Sequence, residues 1–449
     1  MAKREAVLSL IVESWGGMHP GAWREPEAPV DASMDFERVK NMALTAERGK
    51  FHMFFLADSL GYHLEKDLDL LPLTSSASRY EPLTLLSALS VVTNHIGLAA
   101  TVSTTYSEPF NVARMFASLD HLSAGRACWN VVASTDAPAP NFNDLRLDHS
   151  TRYARASEYV DVVEALWDSW EDDAFLRDKT SGIYFDRDKL HVPNHRGEFF
   201  SVRGPLNVSR PIQGHPVIAQ AGSSPEGLDF ATSVADVLFI KELPDLEVAQ
   251  QFYADIKERV ASHGRDPDHV KVLPGLCAIL GRTQAEAEER LARLDELVDP
   301  RIGLERLKVL IDFDLSGYPL DGPVPDDIPE TEYSVKTNQK FYLERARREN
   351  LTIRQLAMVC LRFNTFALST EQIADRIAER VEIDAADGYN LTFADAIGSL
   401  DLFVDEVVPQ LQRRGVFRTD YQGQTLRENL GIPRPQNRFA LAAASPSVG

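Results

Sequence analysis

The sequence has 449 residues, and 67 acidic residues against 47 Lys and Arg give it a formal net charge of −20. A chain this acidic repels nucleic acid and anionic membranes, so neither is expected as a partner. No apolar run approaches the ~18 residues of a membrane span, and the apolar stretch after Met1 is too short for a secretion signal. The three cysteines, Cys128, Cys277 and Cys360, lie far apart and fit buried thiols in a reducing compartment. We therefore expect a soluble, cytoplasmic protein.

Eight strand-like segments, each followed by a helical one, are indicated by hydrophobic periodicity. The predicted strands are Ala6–Val12, Phe51–Ala57, Ile96–Val102, Ala127–Ala133, Pro216–Gln220, Val237–Ile240, Val272–Leu280 and Gly388–Thr392. The predicted helices are Asp35–Arg48, Pro82–Thr93, Phe110–Leu122, Arg152–Trp170, one starting near Glu226, Leu246–Ser262, Gln284–Leu297 and Ser399–Arg414. Apolar strands of this kind are typical of a parallel sheet covered on both faces. Eight units predict a closed (β/α)8 TIM barrel. An open doubly wound sheet is the alternative, but no early strand is followed by G-x-G-x-x-G.

The chain is longer than a bare barrel of ~250 residues, so about 200 residues must lie in insertions. Composition places these insertions near residues 59–80, 135–150, 171–214 and 312–338, and residues 171–214 resemble an antiparallel excursion. No linker divides the chain, which predicts a single domain over residues 1–436. Residues 437–449 are predicted to be a flexible tail.

The turn after the strand Pro216–Gln220 is the strongest local indication of a ligand. It reads Ala221-Gly222-Ser223-Ser224-Pro225 and opens a helix. Glycine allows close approach of a ligand, and hydroxyls beside the free N–H groups of a first helical turn suit a phosphate. The alternative is a serine N-cap with no ligand.

Further polar residues follow predicted strands, where the chemistry of a barrel gathers. Asp58 and Thr104 follow the second and third strands, and Asn130 is an amide inside an apolar strand that must find a partner. His149 and Tyr153 are four residues apart at the start of a helix, so they lie on one face. His19, after the first strand, is a candidate acid–base group because imidazole titrates near neutrality.

Other chemistries have little support in the sequence. Gly222-Ser223-Ser224-Pro225 is not a nucleophile elbow, and no H-E-x-x-H is present. The only spacing suggestive of a metal is His191…His195, which reads better as a surface turn, so no metal site is predicted.

Several motifs spread over about 430 residues make the sequence similar to a known group of enzymes. It resembles the large, flavin-using components of two-component monooxygenases in the bacterial-luciferase-like superfamily, in particular nitrilotriacetate, EDTA and dibenzothiophene sulfone monooxygenases. The matching segments are His19–Arg24, Ala46–Phe51, Phe55–Ser59, Thr104–Pro109, Ala117–His121, Gly125–Val132, Arg203–Val208, Ala386–Asn390 and Arg414–Tyr421.

The resemblance implies a (β/α)8 barrel that binds FMN as FMNH2, supplied by a separate NAD(P)H-dependent flavin reductase, with O2 as co-substrate and a small organic molecule as substrate. It implies a cytoplasmic homo-oligomer, a dimer or a tetramer. The implied flavin contacts are Asp58, Thr104, His149, Tyr153 and Ser224, with Ser223 joining Ser224 on the phosphate. Asn130 and Thr104 resemble the pair that relatives use to place dioxygen, so we predict Asn130, Thr104 and His19 as catalytic residues. Relatives differ in the flavin–oxygen adduct that they use, and the sequence leaves that choice open.

Substrate choice is the least determined feature. After Gly388-Tyr389-Asn390 the family usually has a small apolar residue and proline, whereas this chain continues with Leu391-Thr392-Phe393. Two alternative functions are a flavin- or deazaflavin-dependent reductase and a non-catalytic flavoprotein on the same barrel. Binding of a deazaflavin in place of reduced FMN would favour the first, and tightly held oxidised flavin without turnover would favour the second.

Overall fold

A computed structural model of the chain describes residues 4–13, 16–62, 70–135, 138–222, 224–331, 336–362, 365–395 and 397–444. Its central element is a closed parallel barrel, which confirms the predicted (β/α)8 architecture. In order around the barrel, the eight strands are β1 (Val7–Val12), β2 (Met53–Leu56), β3 (Gly97–Ser103), β4 (Ala127–Val132), β7 (Val217–Gln220), β8 (Val237–Lys241), β9 (Lys271–Gly281) and β11 (Gly388–Phe393).

A helical segment follows each barrel strand and covers the outside of the sheet. These helices are Phe36–Arg48, Pro82–Ser90, Pro109–Leu122, His149–Trp167, Pro225–Val234, Leu246–Ser262, Gln284–Glu296 and, after β11, Ser399–Leu402, which continues through a π-helical turn at Phe403–Val407 into Val408–Arg413. Among the described residues, no helix is both long and apolar enough to cross a membrane.

A helical insertion between the seventh and eighth units exceeds the predicted insertion at 312–338. It contains the helices Pro300–Ile311, Lys336–Glu349 and Ile353–Leu361. Leu307, Leu356 and Tyr342, one from each helix, belong to a separate small apolar core. The insertion leads into strand β10 (Thr365–Ser369), which pairs with the C-terminal half of β9, and then into helix Thr370–Glu382. The sequence prediction missed this strand and these helices.

The segment between helix His149–Trp167 and β7 has only a little regular structure. Its antiparallel part consists of β5 (His195–Arg196) paired with β6 (Ser201–Val202). The C-terminal part of the chain adds two short helices, Leu426–Leu430 and Arg438–Ala444. The second helix occupies part of the segment predicted to be a flexible tail, and residues 445–449 lie outside the described residues.

The barrel interior is sealed at the N-terminal end of the strands by the segment after the last outer helix. Leu426, Leu430 and Ile432 belong to the same apolar cluster as inward-facing strand residues such as Met53 and Cys128. The buried Arg427 fixes this segment, because its guanidinium donates to the His215 carbonyl (2.8 Å) and to Asp236 (2.8 Å). With one end sealed, the C-terminal ends of the strands form the open mouth.

The barrel closes where β11 meets β1, and this contact requires a glycine. Val7 pairs with Gly388, whose φ of 152° is a conformation that side chains disfavour. A Cβ built on Gly388 would lie 1.9 Å from the Val7 carbonyl oxygen. Closure therefore depends on the absence of a side chain at this position.

We expect Gly388→Ala to lower the free energy of unfolding by about 3 kcal/mol or more, since it combines backbone strain with an unavoidable overlap. Urea unfolding followed by circular dichroism measures the change. The matched control is Gly317→Ala, because an added Cβ at Gly317 has nothing within 4 Å. Equal stability of the two variants would contradict the proposed role of Gly388 in closure.

Candidate active site

Asp58 lies at the mouth, just after β2, beside a cavity of about 310 Å³. The cavity is also lined by Thr101, Ser103 and Ser134 from β3 and from the chain after β4. Burial raises the pKa of Asp58, and a hydrogen bond from the Ser59 backbone and the charge of Arg79 partly offset that rise. The cavity therefore combines a half-buried carboxyl group with several hydroxyl groups.

The two predicted oxygen-placing residues have different partners in the structure. Asn130 donates through Nδ2 to Thr101 Oγ1 at 3.0 Å, whereas Thr104 donates from its backbone N–H (2.9 Å) and its hydroxyl (3.3 Å) to the Val132 carbonyl. Asn130 and Thr101 are register partners on β4 and β3. Thr101 was missed by the sequence analysis, although strand alternation places it on the inward face with Ala99.

Asn130 belongs to one interior layer of four side chains from the second, fourth, sixth and eighth barrel strands. The strand register supports this layer. On β3, the residue that pairs with Phe55 and the residue that pairs with Asn130 are two positions apart. On β1, the residues that pair with Asn390 and with Phe55 are also two positions apart. The same offset recurs on β7 and β9 and adds Phe239 to the layer. The Phe55 and Phe239 rings stack at 4.9 Å with 11° between their planes.

Ser224 begins helix Pro225–Val234 as its N-cap. Its hydroxyl oxygen accepts a hydrogen bond from the Gly227 N–H at 3.0 Å, as in the alternative considered from the sequence. A Cβ on Gly222 would lie 2.5 Å from the Gly227 carbonyl oxygen, so the turn folds tightly onto the helix start. Gln220 Oε1 is buried there and has no hydrogen-bond partner among the described residues. Ser223 lies outside the described residues.

His149 and Tyr153 share one face of helix His149–Trp167, as predicted, with their rings edge-on at 5.1 Å. A Cβ on Gly227 would lie 2.8 Å from the Tyr153 hydroxyl, and His149 Nδ1 lies 3.7 Å from Glu226. The structure thus brings His149, Tyr153 and Ser224 together, although they are far apart in sequence. We call His149, Tyr153, Gly222, Ser224 and Gly227 the turn cluster.

The turn cluster adjoins the cavity beside Asp58. Arg152, which precedes Tyr153 on the same helix, donates to the Ser134 carbonyl at 3.2 Å. Ser134 in turn donates to Ser103 Oγ at 2.8 Å. These two bonds connect the start of helix His149–Trp167 to the ends of β3 and β4.

His19 lies in a buried network and not in the cavity. Its Nδ1 accepts from the Gly21 N–H at 3.2 Å, and its Nε2 lies 3.1 Å from Asp295, which also pairs with Arg362. Burial, helped by the charge of Arg362, lowers the pKa of His19 to about 4. Both ring nitrogens are engaged, so this geometry favours a neutral anchor over the acid–base role expected from the sequence.

Two other features lie apart from these residues. A cavity of about 330 Å³ lies between helix Phe36–Arg48 and residues 397–401, and none of the described predicted site residues lines it. His191 and His195 pair with different carboxylates, Glu171 (2.8 Å) and Glu158 (2.9 Å). Within the described ranges, no three His, Cys, Asp or Glu side chains are grouped to hold a metal.

Comparisons with known proteins agree over nearly the whole chain. The family described as luciferase-like monooxygenase matches residues 15–387. The chain is 49% identical to N-acetyl-S-(2-succino)cysteine monooxygenase of Bacillus subtilis, covering 94% of this chain and 96% of that protein. It is 45% identical to nitrilotriacetate monooxygenase component A of Aminobacter aminovorans, with the same coverage. Among solved structures, riboflavin lyase with modified FMN and riboflavin has a TM-score of 0.80 at 29% identity, covering 96% of this chain and 97% of that one.

The low pKa of His19 predicts a pH-dependent contribution to stability. In the unfolded chain His19 has an ordinary pKa near 6.5, whereas in the folded state it binds a proton only near pH 4. The free energy of unfolding therefore falls as the pH falls from about 6.5 to about 4. We expect wild-type protein to lose about 2 kcal/mol more than His19→Gln between pH 7 and pH 5. Urea unfolding at both pH values measures it.

His269→Gln is the matched control, because this side chain is 44% exposed. It should retain the wild-type pH dependence. If His19→Gln retained it as well, His19 would not be a neutral buried anchor.

Proposed function

Because this chain belongs to the luciferase-like monooxygenase family and is an oxidoreductase of that type, we propose that it uses reduced FMN to insert one oxygen atom of O2 into a small organic substrate. A separate flavin reductase supplies the reduced FMN. The observation that carries the proposal is the turn cluster beside the open mouth of the barrel, where a phosphate and a flavin ring have complementary groups.

The turn cluster fits a flavin phosphate. An added Cβ would overlap the Gly227 carbonyl at Gly222 and would lie 2.8 Å from the Tyr153 hydroxyl at Gly227, so the two glycines allow the turn to hold the Ser224 and Tyr153 hydroxyls close together at the helix start. Ser224 retains its hydroxyl proton for donation, because its oxygen is the acceptor in the cap bond. We assign the phosphate to Ser224 with His149 and Tyr153 alongside, and expect Ser223 to join them.

The groups around the Asp58 cavity suit the reacting end of the flavin. In this proposal Asp58 and Thr104 lie near the ring system, and Asn130 holds dioxygen beside it. The Asn130 amide is fixed by the hydrogen bond that one Nδ2 hydrogen donates to Thr101, which leaves the second Nδ2 hydrogen for donation to dioxygen. A pre-positioned amide of this kind stabilises charge that develops near it.

Bound reduced flavin supplies the reaction with dioxygen, and the protein supplies position and exclusion of water. The sealed end of the barrel and the stacked Phe55 and Phe239 rings keep water from the interior below the mouth. Asn130 and Thr104 orient the reactants, and the turn cluster binds the phosphate.

A reductase in trans is supported by two observations. No early strand of the chain carries a G-x-G-x-x-G nicotinamide-binding turn. The relative from Aminobacter aminovorans is itself named a component A. We therefore place nicotinamide oxidation in a second protein.

The test combines the purified protein with a separate flavin reductase, NADH, FMN and air. N-acetyl-S-(2-succino)cysteine, nitrilotriacetate and dibenzothiophene sulfone form the substrate panel. We expect saturable binding of reduced FMN in anaerobic titrations and, for at least one compound, a product containing one added oxygen atom or its cleavage products. Steady NADH oxidation by the protein and FMN without the reductase would count against the proposal, as would failure to bind reduced FMN.

Ser224→Ala should weaken reduced-FMN binding about tenfold or more, because a hydrogen bond to a charged phosphate is lost. It should also lower stability by about 1 kcal/mol through loss of the N-cap. The matched control is Thr283→Ala, which removes the cap of helix Gln284–Glu296. Both variants should lose similar stability, and only Ser224→Ala should bind reduced FMN more weakly. Unchanged flavin affinity in Ser224→Ala would exclude a phosphate contact.

A further inference from the structure

We propose that Asn390 is a second polar contact on the inner wall of the barrel, where its amide oxygen accepts a hydrogen bond from an N–H or O–H group of the substrate or of reduced flavin. The inference rests on the proposed function and deepens it, because it specifies the kind of group that the pocket takes.

The first support is an unsatisfied buried amide. Asn390 is 4% exposed, and its Oδ1 has no hydrogen-bond partner among the described residues. Burying a polar atom without a partner is costly, so such atoms in folded proteins usually meet a ligand or a water molecule. Its register neighbour Ser9 on β1 has a buried hydroxyl that also has no described partner. Two adjacent strands thus present unsatisfied oxygen atoms.

The second support is the direction of these side chains. Tyr389, Leu391 and Phe393 of β11 belong to the apolar core between sheet and helices. Strand alternation therefore directs Asn390 into the barrel. Ser9 is directed inward in the same way, because Leu8 and Leu10 belong to that outer core.

The third support is the place of Asn390 in its layer. The eighth barrel strand carries Asn390 and the fourth carries Asn130, so the two amides lie on opposite walls. The stacked rings of Phe55 and Phe239, from the second and sixth strands, lie in the same layer. This layer forms a floor with an apolar centre and an amide on each side. A reactant above it that contacts Asn130 on one side faces Asn390 on the other.

The fourth support is space beside Asn390. Its register partner on β9 is Gly275. An added Cβ on Gly275 would have only one heavy atom within 4 Å, the Ile240 carbonyl oxygen at 3.7 Å. No backbone strain requires glycine here, since Gly275 is not among the residues with positive φ. The missing side chain leaves room on the mouth side of Asn390 for part of a ligand.

The test replaces Asn390 by Leu, which has nearly the same size but no acceptor. We measure the Kd of reduced FMN by anaerobic titration, and the KM and kcat for the panel compound that wild-type protein oxygenates. Loss of one hydrogen bond should raise one of the two constants about threefold to tenfold. A higher Kd for reduced FMN identifies the flavin as the donor, and a higher KM with unchanged Kd identifies the substrate.

The stability of Asn390→Leu distinguishes a ligand contact from a structural role, because loss of a structural contact would lower stability and loss of an unsatisfied polar atom would not. Asn390→Leu removes an unsatisfied polar atom and no described hydrogen bond, so the variant should be at least as stable as wild type. If it is instead less stable, and both the Kd and the KM are unchanged, Asn390 is structural and the inference is wrong. Unchanged constants in a stable variant would overturn it equally.

Gly275→Val is a second variant that leaves the amide intact. It should fold, because its Cβ would meet only the Ile240 carbonyl oxygen, at an ordinary contact distance of 3.7 Å, and it should raise the same constant as Asn390→Leu by occupying the room beside the amide. If Gly275→Val has the wild-type value of this constant, no ligand lies at this position. If wild-type protein neither binds reduced FMN nor oxygenates any panel compound, the proposed function fails, and that result is distinguishable from failure of the Asn390 contact.

Discussion

Closure of the barrel between β11 and β1 is the constraint on which the rest of the structure depends. The two strands approach so closely that the Val7 carbonyl occupies the place of a side chain on Gly388. Only with β11 in the ring does Asn390 face the interior and complete the layer that includes Asn130. The short helix Leu426–Leu430 can seal one end because the barrel it fills is closed. The open mouth, where Asp58 and the turn cluster lie, is a consequence of the same closure.

The polarity of the inward-facing side chains changes along the barrel axis. Toward the sealed end the inward side chains are apolar, among them Met53, Cys128 and Val217. Toward the mouth they become polar, and Asn130 and Asn390 keep amide oxygens without a partner in the described part of the chain. Such groups lower stability unless a ligand satisfies them, which is the usual compromise at a binding site. The apolar half of the barrel and the outer core of helices offset that cost.

The site is assembled from elements that come from distant parts of the chain. The hydrogen bond from Arg152 to Ser134 joins the helix carrying His149 and Tyr153 to the ends of β3 and β4. The missing side chain of Gly227 lets Tyr153 rest on the helix start that Ser224 caps. On the other side of the mouth, Asp295 contacts both His19, in the loop after β1, and Arg362, at the end of the helical insertion. Asp295 thus connects these two segments. Such fixed contacts favour a site that is formed before its ligands bind.

The sequence by itself determined the barrel and its order of strands and helices, and it gave candidate residues at the strand ends, because hydrophobic periodicity and strand ends are local signals. Asp58, His149, Tyr153 and Ser224 could be predicted in this way and from family motifs. The helical insertion with β10 was missed, since its helices pack around a separate apolar core that forms between segments distant in sequence. Tertiary structure alone decided that Asn130 pairs with Thr101, that Asn390 lies opposite it, and that His19 is held by Asp295, 276 residues away. These pairings follow from strand register and barrel closure, which are long-range properties that no local pattern encodes.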